Sequence, residues 1–379
     1  MDTRPVLRDE ITISPTSDLN VVVNGFYQSI EDHAIIAVPH TTIMKVERAK
    51  LTNASEYFQA MFRSAWTETQ TQTITLEDDN IKAMELLLRK IHGTMSTMTD
   101  KRVTVAEWWH LVMACDKYGI DPKTLSQLFG GWHEAVKNRD EYKKPFLKFE
   151  MQVAFPCYAF DTAAAFQQVT KKLVYTSTGH IMESNPTNIR EMHLPPRVVQ
   201  QLNAARGRLR NILHQGLFEQ IGGIVQHATC PCKETTVFEY LRELSRIKVW
   251  PLEDSLKDVS INDIILQLRR FDSARMRKYK GPPPRHVDDW EQLCPCSHDW
   301  ERVVLSAANR VSNYFDGLCL DCMDTSKNLR DGGSKDDDYW HYYELFQRYD
   351  ARCRVNHGEP TWYFSFMGRR EKKGLIADW

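Results

Sequence analysis

Six of the nine cysteines fall in three close pairs, Cys230-Pro-Cys232, Cys294-Pro-Cys296 and Cys319-Leu-Asp-Cys322. His227 precedes the first pair by three residues and His298 follows the second by two. A tetrahedral zinc ion takes four sulfur or nitrogen ligands, and a short Cys-x-Cys or Cys-x2-Cys loop supplies two of them with little loss of chain entropy. The candidate ligands are Cys230, Cys232, Cys294, Cys296, His298, Cys319 and Cys322, expected to fill one closed structural site, although their number would suffice for two. The long gaps between the pairs fit no standard finger. Two alternatives stay open: thiols packed as small apolar groups, and disulfides, which a reducing compartment disfavours. Cys115, Cys157 and Cys353 stand alone and are expected to be packing residues.

Other chemistry has thinner support. No phosphate-cradling loop is present, and Gly222-Gly223 and Gly332-Gly333 read as turn glycines. Asp336-Asp-Asp338 reads as a solvated loop, and no local pattern marks a Cys–His nucleophile among the 13 histidines. No enzymatic activity is expected. Seven cations between Arg269 and Arg285 (Arg269, Arg270, Arg275, Arg277, Lys278, Lys280, Arg285) and a second cluster at Arg369, Arg370, Lys372 and Lys373 would suit phosphates or a nuclear import signal. Solvated helix faces are the commoner use of such runs.

The whole chain is balanced, with 49 Lys and Arg against 50 Asp and Glu. That argues against a general polyanion binder. Its 379 residues suggest two or three domains, and 42% hydrophobic residues are enough for ordinary cores. No apolar run is long enough for a membrane span and the N-terminus lacks signal-peptide character, so an intracellular protein, cytoplasmic or nuclear, is expected.

The elements that must position these groups begin after a lead-in expected to be flexible. Leu19–Val23 reads as a strand closed by a turn at Asn24-Gly25. Ala34–Val38 reads as a second strand ended by Pro39, and Ile43, Met44 and Val46 as a third. Leu51–Phe62 is expected to be helical, with Ser55 as an N-cap. Ile74 and Leu76 mark a short strand, and Ile81, Met84, Leu87, Leu88 and Ile91 an amphipathic helix stopped by Gly93. Thr104-Val-Ala-Glu107 is a capping box opening a helix through Tyr118, and another helix runs from about Pro122 to Val136. The lysine-rich stretch 137–145 is expected to bound the domain. Beyond it the pattern is mainly helical, including 198–218, 238–247, 261–271, 303–314 and an aromatic helix at 339–349. Gly281-Pro-Pro-Pro284 reads as a linker and 326–338 as an exposed loop.

The order and the residues of the first part resemble the BTB/POZ domain. The resemblance rests on Asp18-Leu-Asn-Val-Val-Val-Asn-Gly25, Met44-Lys-Val-Glu-Arg48, Ser55-Glu-Tyr-Phe58 with Met61-Phe62, Trp66 and Glu68, Ile74-Thr-Leu76 with Asp78-Asp79, Ala83–Leu88, and Ala114-Cys-Asp-Lys-Tyr-Gly119. It covers about 125 residues. Two positions depart from the family pattern: Glu47 stands where a histidine is common, and Ile91-His92 where an aromatic pair is common. Residues 146–225 more loosely resemble the helical extension of a group of fungal BTB proteins.

The resemblance implies an α/β BTB/POZ domain, a small sheet capped by helices, at 15–140, with a lead-in at 1–14. A mainly α-helical C-terminal region carrying the candidate zinc-binding cysteine pairs follows at 145–379. It also implies a protein-interaction adaptor that pairs with itself or docks a cullin scaffold of a ubiquitin ligase, with Asp18 and Arg48 in a charged pocket near the docking surface. The competing expectation is a zinc-stabilised nuclear transcription or chromatin-associated factor that binds nucleic acid. Trp108, Trp109 and Trp132 are expected in the core rather than in a partner-facing patch.

Overall fold

In the computed structural model the described residues are 8–31, 34–63, 72–97, 102–139, 148–187, 189–281, 294, 296–327 and 353–357. The chain divides into two compact units, Met1–Ala165 with Glu183–Leu194, and Phe166–Met182 with Pro195–Trp379.

The first unit is built on a four-stranded sheet of order β1-β3-β2-β4, formed by β1 (Arg8–Thr12), β2 (Leu19–Glu31), β3 (Ala34–Val46) and β4 (Thr73–Asn80). β2 and β3 are antiparallel, whereas β1 joins β3 and β4 joins β2 in parallel. Alternation sends Leu19, Val21, Val23, Met44, Val46, Ile74 and Leu76 into the core.

Three expectations are corrected here. Arg8–Thr12, placed in the flexible lead-in, is a sheet strand paired with Thr41–Lys45. Asn24-Gly25 is not a turn: β2 runs through it, and the register against β4 shifts there instead. A Cβ on Gly25 would lie 1.8 Å from the Asp79 carbonyl oxygen, so the glycine serves close strand approach. Pro39 does not end a strand, because β3 continues through it opposite Phe26. β1 reaches only as far as Thr41 among the described residues, so Pro39 lies on an edge where a missing N–H costs no ladder bond.

The helices follow the sequence pattern more closely. The expected helix at 51–62 is two, α1 (Arg48–Ala54) and α2 (Glu56–Arg63), broken at Ser55. Ser55 Oγ accepts the Phe58 N–H at 3.3 Å and donates to the Tyr118 carbonyl at 2.5 Å, so it caps α2 and ties it to the unit. α3 (Ile81–His92) is capped by Asn80, and α4 (Val105–Lys117) by the Thr104–Glu107 box. α5 (Ser126–Val136) and α6 (Phe149–Ala159) complete this unit. Trp108 and Trp109 are buried, and Trp109 lies against Phe155 with ring centroids 4.3 Å apart and planes tilted by 34°, while its indole N–H donates to the Gln152 carbonyl at 2.7 Å. These contacts seat α6 against α4. Residues 140–147, the end of the expected boundary segment, lie outside the described residues.

The second unit is helical: α7 (Ala163–Thr176, beginning at the unit border), α8 (Pro196–His227), α9 (Lys233–Arg246), α10 (Leu252–Asp258), α11 (Ile261–Leu268), α12 (Trp300–Ser312) and α13 (Leu320–Lys327). α8 has 32 residues, about 48 Å, and absorbs Gly222-Gly223, which are helical rather than turn residues. Val198, Leu202, Ala205, Leu209, Leu213 and Leu217 form its buried stripe. A Cβ on Gly216 would meet the Ala307 Cβ at 2.8 Å, so α8 and α12 pack with small residues at their crossing. The expected helix at 339–349, the Gly332-Gly333 turn, the 336–338 acidic run, the 369–373 cluster and most of the 281–284 linker lie outside the described residues.

Candidate metal centres and interaction domain

The turn between α8 and α9 carries Cys230 and Cys232, and the segment entering α12 carries Cys294 and Cys296. Their four sulfur atoms lie within 4.8 Å of one another. Cys230 Sγ is 3.3 Å from Cys296 Sγ, and Cys232 Sγ is 3.3 Å from Cys294 Sγ. All four are free thiols. A tetrahedral ion with metal–sulfur bonds of about 2.3 Å spaces its sulfurs about 3.8 Å apart, inside the observed range. Packing holds the helix ends together: Tyr240 of α9 lies 4.4 Å from Trp300 of α12, and its hydroxyl donates to the Leu217 carbonyl of α8 at 2.9 Å. Burial opposes ionisation at Cys230, but hydrogen bonds from Cys232, Cys296 and Cys294 outweigh it and lower its pKa. Burial first, then hydrogen bonds with Cys294, Cys230 and Cys296, pushes Cys232 up, and burial together with Cys230 raises Cys296 to about 12.

A second quartet consists of Cys319, Cys322, Cys353 and His357, its ligand atoms also within 4.8 Å of one another. Cys319 immediately precedes α13 and Cys322 lies in its first turn. Cys322 Sγ is 3.6 Å from Cys353 Sγ and 3.5 Å from His357 Nε2. The hydrogen bond from Cys322, against burial and helped by His357, lowers Cys319 to about 4. The residues present in both quartets could hold a metal ion.

Two sequence expectations change at these centres. His298 joins neither quartet; its ring stands edge-on to Trp300 at 5.3 Å. Cys353, expected to be a packing residue, joins the second, with His357, which the sequence reading did not consider. The signal was present as Cys353-x3-His357, a ligand spacing within the zinc range. Cys115 and Cys157 are fully buried, and burial pushes the Cys115 thiol up to about 12.

In the first unit, Asp18 accepts a hydrogen bond from the backbone N–H of Arg48 at 2.7 Å. It thereby satisfies an orphan donor at the start of α1, where Glu47 supplies no side-chain cap. The Arg48 guanidinium lies over the Phe62 ring, 4.6 Å from its centroid. The two departures from the family pattern meet each other: the Glu47 backbone N–H donates to His92 Nε2 at 3.0 Å, while His92 Nδ1 bonds the Leu88 carbonyl at 2.7 Å. The Glu47 carboxylate accepts from Ser14 and Thr16 and pairs with Lys50, which lowers its pKa to about 2. Nearby, buried Asp79 accepts from Lys117 at 2.9 Å and from the Tyr118 hydroxyl at 2.5 Å.

In the second unit, Glu239 and Glu243 of α9 accept the backbone N–H groups of Arg277 and Asp272 and pair with Arg242 and Arg246. They hold the basic segment on α9. Arg275 pairs with Asp272, whereas Arg269, Arg270, Arg277, Lys278 and Lys280 are exposed, with no carboxylate on their side chains among the described residues.

The first unit is in class a small mixed sheet flanked by short helices, and no helix among the described residues is long and apolar enough to cross a membrane. More specifically, the family model of the BTB/POZ domain matches residues 30–121, from the end of β2 to just past α4, and this part of the chain is a BTB/POZ domain. The match supports a protein–protein interaction role. No curated protein matches the chain.

Proposed function

We propose that the protein is a non-catalytic adaptor. Its BTB/POZ domain docks a protein partner, a cullin scaffold or a second copy of the chain, and the helical unit presents a second surface to a substrate or co-factor protein. The observation that carries this reading is the BTB/POZ match at 30–121. Asp18 and Arg48 are the proposed docking pair: Asp18 is exposed and Arg48 half-buried at the start of α1. In the second unit, the Cys230, Cys232, Cys294 and Cys296 quartet is proposed to bind one structural zinc. Four thiolates leave no open position for chemistry, so the ion would clip α9 to α12.

Sedimentation velocity of the purified chain over a range of concentrations, alone and with a cullin N-terminal domain, tests the docking role. A faster boundary in either condition is expected. A strict monomer that leaves the cullin boundary unmoved would rule out both proposed partners.

The exposed cations of the 269–280 segment favour a second reading, a nuclear factor that touches nucleic acid. It requires affinity for duplex DNA that falls steeply with salt and that drops on joint replacement of Arg269, Arg270, Arg277, Lys278 and Lys280 by alanine. Binding that is absent at low salt would dismiss it.

A further inference from the structure

We infer that Cys319, Cys322, Cys353 and His357 form a second zinc site, independent of the four-cysteine quartet, that latches residues 353–357 onto α13. The donor set is three thiols and one imidazole, which suits a closed tetrahedral zinc site. They come from two segments: Cys319 and Cys322 at the start of α13, and Cys353 with His357 thirty-one residues beyond Cys322. Convergence of four zinc-type ligands from such separated positions, to within 4.8 Å, is not a by-product of helix packing, since residues 353–357 belong to no helix.

The surroundings orient the ligands. The α7 residue Thr170 accepts the Leu318 N–H at 2.9 Å, and Tyr175 accepts the Phe315 N–H at 3.1 Å, which fixes the chain entering Cys319. Asp321, between the two cysteines, takes the Arg354 backbone N–H at 2.7 Å and its guanidinium at 2.8 Å. Gln167 donates to the Asn356 carbonyl at 3.0 Å. The Arg354 side chain is about half exposed, and solvent-exposed ion pairs contribute little. These contacts set the direction of the 353–357 segment, and the ion supplies the hold. The ligand atoms must lose their thiol protons as zinc binds, so binding releases protons and weakens in acid.

The two quartets share no residue, so each can be lost alone. The test is elemental analysis of the full chain purified without chelator, as wild type, Cys294→Ser, Cys353→Ser, His357→Ala and His357→Cys, together with absorption spectra after cobalt replacement. Wild type is expected to hold two zinc ions per chain. Cys353→Ser and His357→Ala should each hold one, and His357→Cys should recover two, with the cobalt bands of the second site moving toward those of a four-sulfur site. One zinc in wild type, kept in Cys353→Ser and lost in Cys294→Ser, would overturn the second site and leave the first standing; the reverse pattern would remove the first and keep the second. Should a variant not fold, wild type decides alone. Alkylation of the native protein should spare Cys319, Cys322 and Cys353 until a zinc chelator is added, and labelling of all three before chelation would overturn the proposal.

Discussion

At the residue scale, substitutions at Asp18 and Arg48 separate a structural role from a docking role, because Asp18 holds the Arg48 backbone rather than depending on its side chain alone. Arg48→Ala keeps the N–H that Asp18 caps and removes the guanidinium, so it should weaken cullin-domain binding at least tenfold in calorimetry while shifting the thermal midpoint little. Asp18→Ala should lower stability by about 1 kcal/mol through the lost cap. Equal partner affinity in Arg48→Ala would assign the pair to structure. His110 is a second residue-scale case. It is buried against Phe26, both ring nitrogens lack a partner among the described residues, and burial lowers its pKa to about 4. The folded state therefore takes up the proton later than the unfolded chain. Stability is full above about pH 6.5 and is lost as the pH falls toward 4, by at most about 3 kcal/mol. His110→Leu should flatten that loss in denaturant titrations between pH 7 and 4, and a slope unchanged from wild type would contradict the assignment.

At the element scale, the local signals in the sequence were strong where one side chain decides the outcome. The Thr104–Glu107 box and the 3.6-residue stripe stopped by Gly93 place α4 and α3 at or near their observed ends, whereas α8 runs on to His227, well past the expected 198–218. They failed where tertiary partners decide. Asn24-Gly25 carries turn chemistry, yet β4 on one side and β3 on the other keep β2 extended through it. Arg8–Thr12 has no strand signature of its own and is recruited by the edge of β3. Gly25→Ala tests the close approach: the added methyl meets backbone rather than a yielding side chain. It should destabilise the first unit by about 2 kcal/mol or more in chemical unfolding, and a neutral effect would contradict the packing of β2 on β4. The metal ligands show the same division. Short Cys-x-Cys and Cys-x2-Cys pairs are legible in sequence, but which pairs share a quartet is a property of the fold. His298 lies two residues past the Cys294–Cys296 pair yet joins neither quartet, whereas His357, far from Cys319 and Cys322 in sequence, is brought to them by the fold.

At the scale of the whole molecule, the chain joins a BTB/POZ domain to a helical unit whose two cysteine-rich quartets could hold metal. The zinc proposal makes the two units respond differently to chelation. A strong zinc chelator should lower the unfolding temperature of the helical unit by several degrees or more and leave the transition of the first unit in place, as read by calorimetry. Superimposable traces with and without chelator would remove zinc from the account. Hydrogen exchange of the full chain, with and without a cullin N-terminal domain, reads whether the BTB/POZ domain is the docking site. The adaptor account predicts new protection in the segment from Asp18 to Tyr118, around the start of α1. Protection confined to the helical unit, or none at saturating cullin domain in a chain that is also strictly monomeric, would contradict it.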